Sequence, residues 1–363
     1  MVSASSHHGN NLSPDLDTRH ALIVGGGLSG LTAALELAGK GWRVTVLDKG
    51  NRPGGRMSTR VSRSGVAFDH GAAYLWAESL AFAQQLEKWE AKGVVGRWDV
   101  DEHEVCRGAV SVKREAGDRA KFVGVPGMGS LVSHLSDALP EGSVHFGVRV
   151  LRVERKADAS AGASQFGESW FALDDQGRSH GPYDAAVVAL PAPQAASVLA
   201  DANPDFARQA DEAEAVGCWA AMVAFDTPIV EPVALHVQDN PLAWIACDTS
   251  KPGRDAVVSG GKSCWVLHGN AAFSSHRIDD AAEDVLPEML DALDEALGIE
   301  APEPTYAAAH RWRFGLCPSP LPERVLLDDA AQLAVCGDWL GGGDAVNVEA
   351  AWLSGKAAGA ALG

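Results

Sequence analysis

A glycine pattern set between two short strands restricts this chain more than any other feature in it. Ala21 to Val24 is an apolar run that stops at Gly25-x-Gly27-x-x-Gly30. From Ser29 to Ala38, the residues Leu31, Ala34, Leu35 and Ala38 recur at helical spacing. Gly39 and Gly41 end that helix, Trp42 to Leu47 alternates as a strand, and Asp48 closes it, 18 residues after Gly30. Glycines in these places let the backbone turn tightly and approach a pyrophosphate, which the free N–H groups of the helix N-terminus can receive. A carboxylate at position 48 can accept hydrogen bonds from both hydroxyls of a ribose. Strand, helix, strand and acidic end together predict a dinucleotide-binding α/β unit.

At 363 residues the chain is long enough for two domains, or for one with a large insertion. It is 46% hydrophobic and 21% charged, the profile of a packed globular protein. The net charge of -18 would be repelled by a phosphate backbone or an anionic bilayer, so neither nucleic acid nor membrane is an expected partner. No apolar run reaches the ~18 residues that a spanning helix needs. Residues 1–20, rich in Ser, Asn and His, have no apolar centre and read as a disordered lead rather than a signal segment. Cys106, Cys218, Cys247, Cys264, Cys317 and Cys336 lie far apart with no CxxC pair, so they read as reduced thiols of a cytoplasmic protein. His7-His8 has no partners, and no metal site is expected.

Beyond the first unit, Trp76 to Asp118 is mostly polar and reads as an insertion. A helix is expected over about 130–139, and single strands over 144–153 and 183–190. The stretch 218–268 is β-rich, with strands at 218–225, 234–237, 244–247 and 264–268. A helix over roughly 280–297, a short strand at 334–336 and a last helix over 348–362 complete the pattern. No repeat or long linker is present, so a second domain should interrupt the first more than once.

Two further motifs carry chemistry. Soon after Asp48 comes Asn51-Arg52-Pro53-Gly54-Gly55-Arg56-Met57-Ser58. The glycine pair lets the chain pass close to a cofactor, and Arg56 offers a rigid fork of donors to a phosphate or a flavin edge, which favours FAD over NAD. The bland alternative is a solvated surface arginine. Near the other end, Val335-Cys336-Gly337-Asp338 precedes the last helix. Asp338 can bind the hydroxyls of a ribityl chain or cap a turn, and the helix N-terminus beginning near Val348 can face the N1–C2=O edge of an isoalloxazine.

The run from Asp48 to Thr59, with Phe68-Asp69-His70-Gly71-Ala72, Val125-Pro126-Gly127-Met128, Ala189-Leu190-Pro191-Ala192-Pro193-Gln194 and Ala351-Trp352-Leu353-Ser354-Gly355, resembles the renalase family of flavoproteins. The motifs keep the same order from about Ala21 onward. That resemblance implies an α/β fold of the hydroxybenzoate hydroxylase and amine-oxidase type: a Rossmann-like FAD-binding domain (21–75, 120–205 and 326–363) interleaved with an α+β substrate domain (76–119 and 206–325). It also implies non-covalent FAD, a small-molecule substrate and O2 as electron acceptor. The bacterial relatives pass hydride from 2- and 6-dihydro isomers of NAD(P)H to flavin N5 and release hydrogen peroxide. By motif position, Ser29, Arg56, Ala73 and Tyr74 would contact FAD, and His268 and Trp312 would line the pocket facing it. The candidate catalytic set is His268, Trp312 and Tyr74. The candidate cofactor-binding set is Gly25, Gly27, Leu28, Ser29, Gly30, Asp48, Lys49, Gly55, Arg56, Met57, Ala73, Tyr74, Val150, Asp338 and Val348.

The chain departs from the family at Ala73, where a glutamine is usual, at Cys247-Asp248, where bacterial relatives carry Arg-Asn, and at Asp344, near an expected arginine. These changes are expected to weaken binding of a doubly phosphorylated dinucleotide. An amine or a biosynthetic intermediate is therefore the alternative substrate, and a non-catalytic dinucleotide-binding module is the third reading. Read alone, His268 is as easily a structural histidine and His70 a residue that orients its loop, while Trp89, Trp98, Trp244 and Trp312 fit a core.

Overall fold

The computed structural model describes residues 18–112, 119–157, 168–231, 233–254, 260–341 and 348–362. Two sheets alternate along the chain. The first has six strands in the order Leu326–Asp328, Leu333–Val335, Ala185–Val188, His20–Val24, Arg43–Asp48 and Val144–Phe146. All neighbours are parallel except the outer pair Leu326–Asp328 and Leu333–Val335. Val24 stands beside both Leu47 and Val188, and Val188 beside Val335, so the strand carboxyl ends align. Gly25, Asp48 and the Cys336–Asp338 segment leave the sheet at that common edge, where ligands bind in open α/β sheets.

After the half-buried His20, the first strand is apolar and buried from Ala21 to Val24, as a parallel strand covered on both faces must be. One cover is the helix Leu28–Gly39, which packs against the last helix, Val348–Ala361. Their approach is very close: a side chain at Gly355 would stand 2.3 Å from the Ser29 carbonyl oxygen.

The second sheet has seven strands in the order Tyr306–Leu316, Val216–Phe225, Ser263–Gly269, Leu242–Cys247, Ala234–Gln238, His103–Cys106 and Ala109–Val112. Its outer face carries Trp219, Val223, Phe225, Leu235, Ile245, Trp265 and Leu267, and is sealed by the helix Ala282–Leu297 through Val285, Met289, Leu293 and Leu297. Strand alternation then sends the neighbouring positions to the inner face. Register lines up His310, Ala220, His268, Trp244 and His236 in one row across five strands. The described residues also hold a three-stranded sheet (Val150–Lys156, Ser169–Asp174, Ser179–Tyr183) and two short pairs, Arg60–Val61 with Ala67–Phe68 and Val95–Arg97 with Phe122–Gly124.

Several expectations from the sequence are corrected here. The alternating stretch 144–153 is two strands in different sheets, because Gly147 takes φ +70° and turns the chain between them. The stretch 183–190 likewise divides, into the end of Ser179–Tyr183 and the buried strand Ala185–Val188. The 76–118 insertion holds the amphipathic helix Leu80–Ala91, which Ser79 caps and which buries Phe82, Leu86 and Trp89 in the same core as Leu31 and Leu37. The following hairpin, His103–Val112, joins the seven-stranded sheet.

Candidate functional site

The glycine turn has the shape its sequence requires. A side chain at Gly30 would lie 2.0 Å from the Gly25 carbonyl oxygen, so strand end and helix start touch there. At Gly27 nothing stands within 4 Å, which leaves the turn open on its outer side. No side chain caps the helix start and no acidic residue lies in its first turn, so its N–H groups face outward with a positive dipole end. Leu28 and Ser29 are buried at that start, and Lys49 is exposed beyond Asp48. The Asp48 carboxylate accepts from the backbone N–H of Gly26 at 2.6 Å and of Gly50 at 2.7 Å. Two accepted bonds fix its orientation and leave lone pairs for ribose hydroxyls. Val150 lies in the core that packs behind Leu47 and Val24.

Arg56 and Asp338, 282 positions apart, meet at this edge. The Arg56 Nη2 donates to Asp338 Oδ1 at 2.7 Å, and Nη1 reaches the carbonyls of Phe314 (3.4 Å) and Gly315 (3.3 Å). Arg56 is thus tied to the acidic residue expected to bind a ribityl chain, which neither motif predicts alone. Gly55 precedes it in a left-handed turn, and Met57 is buried beneath. Val348 opens the last helix. Asp344 and Asn347 lie outside the described residues. The open face at Gly27, the uncapped helix start and the half-satisfied Asp48 fit a dinucleotide, which Arg56 and Asp338 would then help to hold.

The loop that follows Phe68 runs between this edge and the second sheet. The Ala72 N–H donates to the Arg56 carbonyl at 2.9 Å, and a side chain at Gly71 would lie 2.0 Å from that same oxygen. The His70 carbonyl accepts from Trp312 Nε1 at 2.8 Å and lies 3.3 Å from His268 Nε2. The His70 ring packs on Trp312 (centroids 4.9 Å) and His310 (4.8 Å), and His310 on Trp312 (4.4 Å). Burial, with nearby cationic groups, pushes the His70 imidazole down to about 3; burial brings His268 to about 4 and lowers His310 as well. All three rings are neutral at physiological pH. Ala73 and Tyr74 continue the loop, half-buried.

Asp69 anchors the loop from behind. It accepts from Thr59 Oγ1 (2.6 Å) and the Met128 N–H (3.0 Å), and it pairs with Arg254. Its own N–H donates to Asp248 Oδ2 at 2.6 Å, while Lys251 Nζ lies 2.6 Å from Asp248 Oδ1. All four charged side chains are at most 2% exposed. The expectation that Cys247 and Asp248 present lost positive charge to a substrate is therefore corrected. Asp248 is fully buried and holds the loop, and Cys247 is 6% exposed.

Sequence reasoning missed other members of the site. Tyr306–Leu316 is the longest strand among the described residues, and it brings in His310 as well as Trp312. Glu349, in the first turn of the last helix, accepts from the N–H groups of Glu78 (2.6 Å) and Ser79 (2.9 Å), which ties the last helix to the segment after Tyr74. An acid in the first turn of a helix was its only local signal. Glu102 is buried near Tyr74; burial alone would raise it, but hydrogen bonds from His236 and Tyr74 and the Lys121 charge win and hold it at about 2.

A family model for NAD(P)-binding Rossmann-like domains matches residues 23–88, and the model for flavin-containing amine oxidoreductases matches residues 90–362. The neurosporene-forming phytoene desaturase of Cereibacter sphaeroides is 51% identical over 61 residues, 17% of this chain and 12% of that protein. The L-amino-acid oxidase of Daboia russelii is 52% identical over 50 residues, 14% of this chain and 10% of that protein. These matches thus span only a small part of those relatives' length. Among solved structures, putrescine oxidase with putrescine bound gives a TM-score of 0.68 at 13% identity, covering 94% of this chain and 98% of that one. An oxidoreductase from Methanosarcina mazei gives 0.68 at 14%, covering 93% and 99%. At such identities the likeness shows the fold. The second family model covers most of the chain, and the cofactor edge described above agrees with it: the chain belongs to the flavin-containing amine oxidoreductases and is an FAD-binding oxidoreductase.

Proposed function

We propose that this protein is a renalase-type enzyme that takes hydride from a dihydropyridine ring, such as that of a 2- or 6-dihydro isomer of NAD(P)H. The observation that supports this most is the neutral aromatic face beside the flavin loop, made by His70, His268, His310 and Trp312. A dihydropyridine is already activated by its ring nitrogen, so no base has to remove a proton from it. Residues over such a ring need only hold it flat and keep water out. Trp312 spends its N–H on the His70 carbonyl, so it acts by fixing the loop and presenting an apolar ring. His268 stands at the same carbonyl, and burial keeps it uncharged. When bound, FAD supplies the two-electron acceptor and returns the electrons to O2 as hydrogen peroxide. The six free thiols support a reducing, cytoplasmic setting.

A second reading, oxidation of an amine, is favoured by Glu102, a buried carboxylate held ionised near Tyr74. Anaerobic mixing of the holoprotein with 2- and 6-dihydronicotinamides, ordinary NADH and a panel of amines separates the two. The readout is loss of the oxidised flavin band near ~450 nm. Rapid bleaching by the dihydro isomers alone is expected. Bleaching by amines alone would replace this reading with the second, and bleaching by neither would remove both.

A further inference from the structure

Tyr74 packs among three indoles. Its ring centroid lies 5.5 Å from Trp76, 5.9 Å from Trp244 and 6.1 Å from Trp98. The indole N–H of Trp98 is matched by Ser250 Oγ at 3.1 Å, that of Trp312 by the His70 carbonyl, and that of Trp219 by the Arg277 carbonyl at 3.0 Å. Trp76 and Trp244 differ. Both bury Nε1 with no acceptor among the described residues, and Trp244 is only 7% exposed. A buried donor without an acceptor is costly, and most in native proteins are matched. Trp42 is a third such indole, but it lies under the Arg19 guanidinium, away from the loop. The pair at Tyr74 is placed differently: Trp244 stands directly opposite His268 in register, and Trp76 follows Tyr74 by two residues.

We propose that Trp76 and Trp244 form a substrate subsite that takes the carbonyl or carboxamide oxygen of a planar ring held beside Tyr74. This rests on the reading that the flavin loop receives a dihydropyridine, and it names the group on that ring which the protein recognises. The two N–H groups select an acceptor-bearing ring over a bare one, because the bare ring leaves both donors unmatched.

The test uses the holoprotein and its Trp244→Phe and Trp76→Phe variants, which keep a ring and delete the N–H. Two non-reducing ligands of equal charge are titrated, 1-methylnicotinamide and 1-methylpyridinium, with binding read from the perturbed flavin spectrum. Wild type is expected to prefer the carboxamide ligand by about tenfold or more, and each variant to lose most of that preference with pyridinium binding changed less than about twofold. Equal weakening of both ligands, an unchanged preference, or no preference in wild type overturns the subsite. So does a shift of flavin spectrum or reduction potential in the unliganded variants, which would assign the N–H groups to the cofactor. If the ligand preference behaves as expected while dihydropyridines fail to bleach the flavin, the reaction assignment falls and the subsite stands.

Discussion

Arg56 shows how one side chain can join two distant motifs. Its guanidinium touches Asp338 and two carbonyls of the strand Tyr306–Leu316, so it orders the far end of the cofactor edge even before any ligand contact is counted. Arg56→Ala is expected to weaken FAD binding by roughly 10- to 100-fold, the value of one or two hydrogen bonds to a charged group; titration of the apoprotein with FAD measures it. The neutral imidazoles make a second prediction. His70 and His268 titrate near 3 and 4 when folded, against about 6.5 in an unfolded chain. Between those values the unfolded state holds more protons, so the stability they contribute is complete above pH 6.5 and falls as pH drops toward 4. The melting temperature of the holoprotein should drop by roughly 2–4 °C from pH 7 to pH 5, and His70→Gln should flatten that slope. Glu102, held at about 2, loses its contribution only below about pH 4.5, outside this window. At this scale the sequence was most readable where a residue acts through its own motif, as at Gly30 or Asp48. Asp248 was misread because the residues that bury it, Asp69, Lys251 and Arg254, come partly from elsewhere in the chain.

Among the elements, those with a strong internal period could be read from the sequence, and those defined by a partner could not. The first strand and helix follow from apolar spacing and glycine stops. Tyr306–Leu316 has no such signal: its eleven residues are half-buried or exposed along most of their length, with polar and apolar side chains mixed. It is a strand because Val216–Phe225 pairs with it over most of its length. The segment 248–254 is similar, a short turn whose value lies in bringing Asp248, Lys251 and Arg254 to Asp69. That cluster links the loop after Phe68 to the second sheet. Removing one member leaves a buried charge unpaired, so Arg254→Met should lower unfolding free energy by about 3–5 kcal/mol in a denaturant titration. The exposed pair Arg313–Asp279 offers the control, since Arg313→Ala should change stability by no more than about 0.5 kcal/mol. A similar loss in both would deny the cluster its special role.

Across the whole molecule, the cofactor edge is assembled from chain segments near positions 25, 48, 56 and 338, with the last helix packed against the first. The two sheets meet there through Arg56, which reaches the Phe314 and Gly315 carbonyls, and through the loop after Phe68, whose His70 carbonyl faces Trp312 and His268 while its Ala72 N–H donates to the Arg56 carbonyl. A ligand at such an edge touches parts that would separate on unfolding, so it binds the folded chain and not the unfolded one. Linkage then sets the effect: free FAD at 100 times its dissociation constant adds about 2.7 kcal/mol to stability. Removing the flavin should therefore lower the melting temperature by several degrees, and restoring it should recover the full shift in proportion to the logarithm of free FAD. Arg56→Ala apoprotein should melt below wild-type apoprotein, because Asp338 and two carbonyls lose their donor, and from that lower start it should need roughly 10- to 100-fold more FAD to gain the same shift. If the apoprotein instead melts in two separate steps while the holoprotein melts in one, the cofactor is what couples the sheets. A single step in both would place that coupling in the Asp69–Arg254 cluster and its neighbours, which need no ligand to form.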